Sequence, residues 1–445
     1  MISSRSVPHC PADAREHRIL ALIFLIGFAK LISFRVLGEL FLTDLLLIPA
    51  AALGLLRMRS TAWRAAIPAL ALMLLWLIGL MISDVVRDSP FENYARGWAK
   101  IVFFMASFVG LLWLTDARIN RLMAFFLGLA GAGVIQTIIA PTEFQQGDAW
   151  KFGYAVPLGI LCVILASRPG PQNGIRSIAP VGLPLGMGVL NLAVNFRSHY
   201  AMLIGTAAVS AFAVLASRIA PGRRVVTPAL IIGLVLLGGI VAWGSTAAYS
   251  QLASSGMLGE KAKSKHEMQT RGDLGLLLSG RSESLASFSA ISASPIIGHG
   301  SWASDRSYVA LRLLMLRQRG VQSNENIASE LIPSHSYIFG AWVEAGILGA
   351  AFWIFSLVFA SKALFLVLDL QHPATPFAAY LFIQFLWAIL FSPFGADVRF
   401  IVAGQLCAAI WVLREHRKLK TTPHSARRFA SRRDLLAPSR LQREL

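Results

Sequence analysis

Runs of about 18–25 apolar residues recur along the whole chain, and each is long enough to cross a bilayer. Nothing else in the sequence restricts the fold as strongly. The 445 residues are 56% hydrophobic and only 14% charged, against about 25% charged in soluble domains, and mean hydropathy is +0.61. The expected fold class is an all-α polytopic membrane protein of about twelve transmembrane helices with one long outer loop. The spans are placed at 19–34, 38–56, 65–83, 98–115, 122–140, 152–167, 178–195, 200–217, 228–246, 336–360, 376–394 and 398–413. The seventh is short and rich in Pro and Gly, so a broken or tilted helix is expected there.

The net charge of +18 lies largely in tails and short loops, as membrane topology produces, and gives nucleic-acid binding no support. Arg57, Arg59, Arg64, Arg118, Arg121, Arg168, Arg176, Arg218, Arg223, Arg224 and Lys362 fall on one side of the alternating spans. The fewer Arg35, Arg87, Arg96, Lys151, Arg197 and Arg399 fall on the other. Both termini are therefore expected on the cytoplasmic side, and the long loop outside, which is the periplasm if the source is a Gram-negative bacterium. The chain divides into a tail (1–18), an amino-terminal bundle (19–246), a periplasmic loop with short helices (247–335), carboxyl-terminal spans (336–413) and a basic tail (414–445). The last is expected to be disordered, with anionic lipid as its neighbour. Cys10, Cys162 and Cys407 are scattered and suggest neither a disulfide framework nor a zinc site. The run from Ile19 lacks a small-residue cleavage site and reads as a retained span.

Polar chemistry collects in one stretch, Ser279 to Gly349. After Ser279-Gly280-Arg281, Ser282 is a candidate cap for a helix with Leu285, Phe288 and Ile291 as its apolar positions, ended by Pro295 and Gly298. Residues 304–319 read as an amphipathic helix, lying in the outer interface or packed on the spans. No GxxxxGK[ST], HExxH or Asp-x-Asp occurs in the chain, and no internal repeat is visible. Four cations are expected at the outer edge: Arg96, Lys100, Arg197 and Arg281. They either snorkel to lipid phosphate or hold the diphosphate of a lipid-linked substrate. His335 is either a polar interface residue or a general base. His199 faces the same alternative, and Glu344 reads as a carboxylate bonded between helices.

The order Ser279-Gly280-Arg281, then PIIGHG (Pro295 to Gly300), then a His335-led span carrying Glu344, Gly346 and Gly349 resembles the O-antigen ligase and O-antigen polymerase family. The resemblance is specific over about 70 residues, and Arg197 is similar to an arginine at the outer end of a span in that family. Leu285 stands where the family often has an aromatic, and Ser336 where it often has Asn. The resemblance implies a C-type glycosyltransferase-like fold and a metal-independent, inverting glycosyl transfer at the periplasmic face. The donor would be a glycan on undecaprenyl diphosphate. The acceptor would be a second lipid-linked glycan (polymerase, the preferred reading) or a lipid A-core sugar (ligase). His335 would be the catalytic base, arginines would hold the diphosphate, and no cofactor is expected. A lipid-linked glycan flippase or other transporter and a non-catalytic subunit of a polysaccharide export complex are the rival classes. The former need not depend on His335, the latter on neither His335 nor Arg281.

Overall fold

The computed structural model describes residues 11–36, 38–57, 61–167, 178–219, 282–318 and 330–421, with parts of 227–267. The expected span at 228–246, residues 279–281 with Arg281, and the tail beyond 421 fall wholly or largely outside the described residues.

The amino-terminal bundle consists of α1 (Pro11–Phe28), α2 (Leu42–Leu56), α3 (Thr61–Val86), α4 (Phe91–Thr115), α5 (Ile119–Ile139), the short α6 (Glu143–Gly147), α7 (Ala155–Ala166), α8 (Ala179–Ala193) and α9 (Arg197–Ile219). After the polar segment come α10 (Ser282–Ala293), α11 (Arg306–Gln318), α12 (Tyr337–Leu370), α13 (Thr375–Phe391) and α14 (Arg399–Thr421). Among the described residues, five helices are long and apolar enough to cross a membrane: 62–86, α4, α5, α9 and α12. The protein is thus an all-α, membrane-embedded chain.

Several expectations are corrected. The first run does not continue to residue 34. α1 ends at Phe28, and a 3₁₀ turn leads into an antiparallel hairpin, β1 (Ser33–Arg35) with β2 (Glu39–Phe41). The Pro- and Gly-rich seventh segment is not broken: it forms one helix, α8, with Pro184 inside it. α14 runs to Thr421, well past the boundary expected at 413. It is held there by Arg414 Nη1 donating to the Asp116 carbonyl (2.8 Å) and by His416 against Asp369 (3.3 Å).

Small residues set the closest helix approaches. A Cβ on Gly27 would overlap the Phe125 carbonyl, and one on Gly128 the Phe24 carbonyl, so α1 and α5 meet backbone to backbone. Aromatic rings fill the centre. Trp76 stacks on Phe352 at 5.6 Å and meets the edge of Trp353 at 5.5 Å, while Phe104 and Phe394 close the cluster. Asp44, at the start of α2, forms a buried ion pair with Arg399, at the start of α14. Phe41, Phe103 and Phe400 surround that guanidinium. Glu39 adds only a backbone carbonyl at 3.4 Å. The intramembrane acid is therefore neutralised by a cation that sequence alternation places in a loop.

Candidate functional site

The site is built on a reversal inside α12. Gly346 has φ 63° and ψ −155°, outside helical geometry. In a straight helix Tyr337 and Trp353 would lie about 24 Å apart along the axis; here their rings are 4.8 Å apart. A Cβ on Gly349 would overlap the Ala341 carbonyl. The first limb, 337–345, therefore folds back antiparallel on the second, 347–370, and Gly346 is the apex. Only a residue that tolerates positive φ and lacks a side chain fits this apex, because a Cβ there would overlap the Ile296 carbonyl. A long His335-led span is thus corrected to a short limb followed by a span.

A reversal leaves helix-end amides and carbonyls without partners. The turn after α10 supplies them. His299 N donates to Val343 O at 2.7 Å and Gly300 N to Glu344 O at 3.0 Å, which satisfies the end of the first limb. Ile347 N donates to Ile296 O at 3.2 Å, which satisfies the start of the second. Gly298 (φ 84°) and Gly300 (φ 87°) give the turn its shape. At Gly298 a Cβ would sit 2.6 Å from Gly346 N, so PIIGHG and Glu-x-Gly fit each other glycine to glycine.

The end of α3 clasps this turn from the other side. Ser83 Oγ donates to Ile297 O. Arg87 donates from Nε to Gly298 O (3.0 Å) and from Nη2 to Ser294 Oγ (2.6 Å). Buried Asp84 accepts from Ser301 N (2.6 Å), Ser301 Oγ (2.7 Å) and Trp98 Nε1 (2.8 Å). Lys100 on α4 pairs with Glu344 at 2.8 Å, next to the apex, with both side chains mostly buried. Glu344 is therefore bonded between helices, as expected. Lys100 already has a carboxylate on it. The sequence reading missed Asp84 and took Arg87 only as an outer-loop charge. The available signal was an Asp and an Arg three residues apart at the end of an otherwise apolar run.

His335 lies on a strap, 330–336, pinned at Glu330, Ile332, Pro333 and Ser336. Asp305 N donates to Glu330 O (2.9 Å), Ile332 N to Ala303 O (2.9 Å) and Ser287 Oγ of α10 to Pro333 O (2.6 Å). Ser336 Oγ donates to Ile389 O in the last turn of α13 (2.8 Å) and caps the first limb by accepting from Phe339 N (3.3 Å). Tyr337 packs on Trp353 and on Phe394 (5.3 Å). The strap thus reaches about 10 Å past the apex, seven residues at 1.5 Å each, toward the middle of the second limb. His335 is nonetheless exposed while its neighbours Ser336 and Tyr337 are buried. A fixed backbone carries an accessible imidazole.

α10 and α11 pack as a small layer over this apparatus. Arg312 pairs with Glu283 at 2.9 Å, and Tyr308 lies beside a core of Ala290, Ile291, Ile332 and Val343. α11 is therefore packed on the protein. The buried face of α10 is Ala286, Ser287, Ala290 and Ile291, whereas Leu285 and Phe288, expected on that face, are exposed.

The remaining predicted residues lie around this centre. Arg96, one turn before Lys100, is 3.6 Å from Glu92 and lies beside the hairpin tip at Gly38. Arg197 opens α9, half-buried. Two residues on, His199 is fully buried, with Nδ1 at 3.2 Å from Asn191 Oδ1 and Nε2 at 2.8 Å from the Tyr380 hydroxyl. It joins α8, α9 and α13 and is closed to a substrate. Arg197 and His335 are referenced to the same helix, since Tyr380 and Ile389 lie about 13 Å apart along α13. Among the described residues no three His, Cys, Asp or Glu side chains group as metal ligands. The chain matches no family model and no curated protein.

Proposed function

We propose that the protein transfers a glycan from undecaprenyl diphosphate to a sugar hydroxyl at the periplasmic face of the bacterial inner membrane, as a polysaccharide polymerase or an O-antigen ligase. One observation carries this reading. Three sequence pieces up to about 50 residues apart bond directly to one another. The helix that follows Ser279-Gly280-Arg281 bonds the His335 strap through Ser287, and PIIGHG caps the apex at Gly346. The chain as a whole is read as about twelve spans in a C-type glycosyltransferase-like arrangement, with both termini cytoplasmic.

In the proposed step the acceptor hydroxyl attacks the anomeric carbon of the donor. The bond from that carbon to the diphosphate oxygen breaks, and the diphosphate leaves with the electron pair. The hydroxyl proton passes to the imidazole of His335, whose fixed backbone and open ring suit that task. Arg281 and Arg197 hold the leaving diphosphate and stabilise the charge that grows on it. Arg96 lies at the margin of that anion site. Lys100, held by Glu344, contributes field more than contact. Membrane lipids and polysaccharide export proteins are the expected neighbours, and nothing in the chemistry calls for a cofactor.

The test compares Arg281→Ala with Arg281→Lys in purified protein supplied with lipid-linked donor and acceptor. A contact to an ionised group is worth about 1.5–3 kcal/mol, so the alanine variant should lose about ten- to hundredfold in donor use. The lysine variant, which keeps charge without the fork, should fall between. Wild-type activity in both would reduce Arg281 to a lipid anchor. The glycan profile of a deletion strain separates the two activities. Single repeats still joined to the core mean polymerase; unattached polymer accumulating on lipid means ligase.

A further inference from the structure

The other end of the bundle, away from the His335 strap, carries a second site. A cavity of about 400 Å³ opens between the first turn of α3 and the last turns of α14. Ala62, Ala65, Ile410 and Leu413 form its apolar floor, and Arg414, Arg417 and Lys418 form its rim. On α14 these positions follow three- and four-residue spacing, so they make one stripe. The stripe is apolar toward the middle of the bundle and cationic toward its end.

Two acids, Asp116 and Glu415, stand beside the rim. Arg414 Nη1 donates to the Asp116 carbonyl (2.8 Å), and its guanidinium lies 3.8 Å from the Asp116 carboxylate and 3.8 Å from Glu415. Glu415 gives its short contact to Lys418 (2.7 Å). Arg414 Nε is buried and makes no hydrogen bond, which is a costly state for a guanidinium N–H.

We propose that this cavity binds one anionic phospholipid, with its phosphate among Arg414, Arg417 and Lys418 and an acyl chain along Ala62, Ala65, Ile410 and Leu413. A soluble phosphate would use the rim and leave the apolar floor wet, whereas a phospholipid covers both. Basic pockets between transmembrane helices recognise anionic headgroups in this way. The site is separate from the proposed transfer chemistry and would stand if that reading failed.

The experiment is native mass spectrometry of the full chain, released from membranes containing phosphatidylglycerol and phosphatidylcholine. Two variants are compared with wild type. Arg417→Gln/Lys418→Gln removes charge, and Ala65→Phe fills the floor without touching charge. Wild type should retain one phosphatidylglycerol in preference to phosphatidylcholine. Each cation near a headgroup is worth about fivefold in binding, so the double variant should bind about twenty-five-fold more weakly. Ala65→Phe should lose the same lipid, and millimolar inorganic phosphate should not displace it. No lipid preference in wild type, or equal retention in wild type and the charge variant, would overturn the proposal. So would displacement by phosphate alone, which would indicate a free-anion site. If Ala65→Phe fails to fold, the charge variant decides.

Discussion

At the scale of single residues, Gly346 and His335 have opposite requirements. Gly346 must have no side chain: its φ of 63° and the Ile296 carbonyl leave no room for one. Gly346→Ala should therefore destabilise the apex by about 1–3 kcal/mol, as strained backbone sites do. It should expose the 330–345 segment to limited proteolysis in detergent while the rest of the bundle stays resistant. An unchanged digestion pattern and melting temperature would show that the reversal does not need glycine. His335, by contrast, needs only its side chain under the proposed function, because the strap is held by its neighbours. His199→Ala would act differently. It removes a ring that bonds Asn191 and Tyr380, so the loss should appear in thermal stability, with transfer by the folded fraction largely retained. Apart from the motif that His335 leads, the sequence does not separate these two histidines. Both stand near the start of an apolar helix, and in the structure burial distinguishes them.

At the scale of elements, the apex is fastened by charge as well as by hydrogen bonds. Lys100 and Glu344 are 14% and 18% exposed, so removing one partner leaves the other charge poorly solvated. Lys100→Met should cost about 2–4 kcal/mol. The Lys100→Met/Glu344→Met double variant should recover much of that, measured by thermal unfolding in one detergent. Equal losses in single and double variants would mean the pair is not coupled. Much of the helical content was legible in the apolar runs, and the boundaries of α3, α5, α9 and α13 fall within four residues of where hydropathy puts them, whereas α4 begins seven residues before its expected start. The fold-back was not legible, because 336–360 reads as a single span with Glu344 as its only charge and no proline, and hydropathy does not register a change of direction. Its signal was the fit of two glycine motifs about 45 residues apart, which spacing alone does not reveal. The β1–β2 hairpin was hidden for a similar reason: Phe34, Leu40 and Phe41 read as part of flanking apolar spans. α14 outlasts its apolar run because Arg414 and His416 find polar partners on neighbouring elements.

At the scale of the whole molecule, polar chemistry is divided between two ends. One end holds the glycine turn, Asp84, Arg87, the Lys100–Glu344 pair and the His335 strap. The other holds Glu16 with Arg121 (2.7 Å), Asp116 with Arg414, and His416 with Asp369. In the proposed topology, which follows arginine alternation, the first end faces the periplasm. A cysteine placed at Ser264 should then react with a membrane-impermeant maleimide in whole cells, while a reporter on the carboxyl terminus stays inside; protection at 264 or an exported tail would reverse the assignment. The most direct measurement is single-turnover transfer by His335→Ala in nanodiscs, with lipid-linked donor and acceptor and a gel shift of the product. Normal insertion and donor binding with transfer reduced about 10²–10⁴-fold is the predicted result; transfer at the wild-type rate would contradict the assignment of His335 as the base.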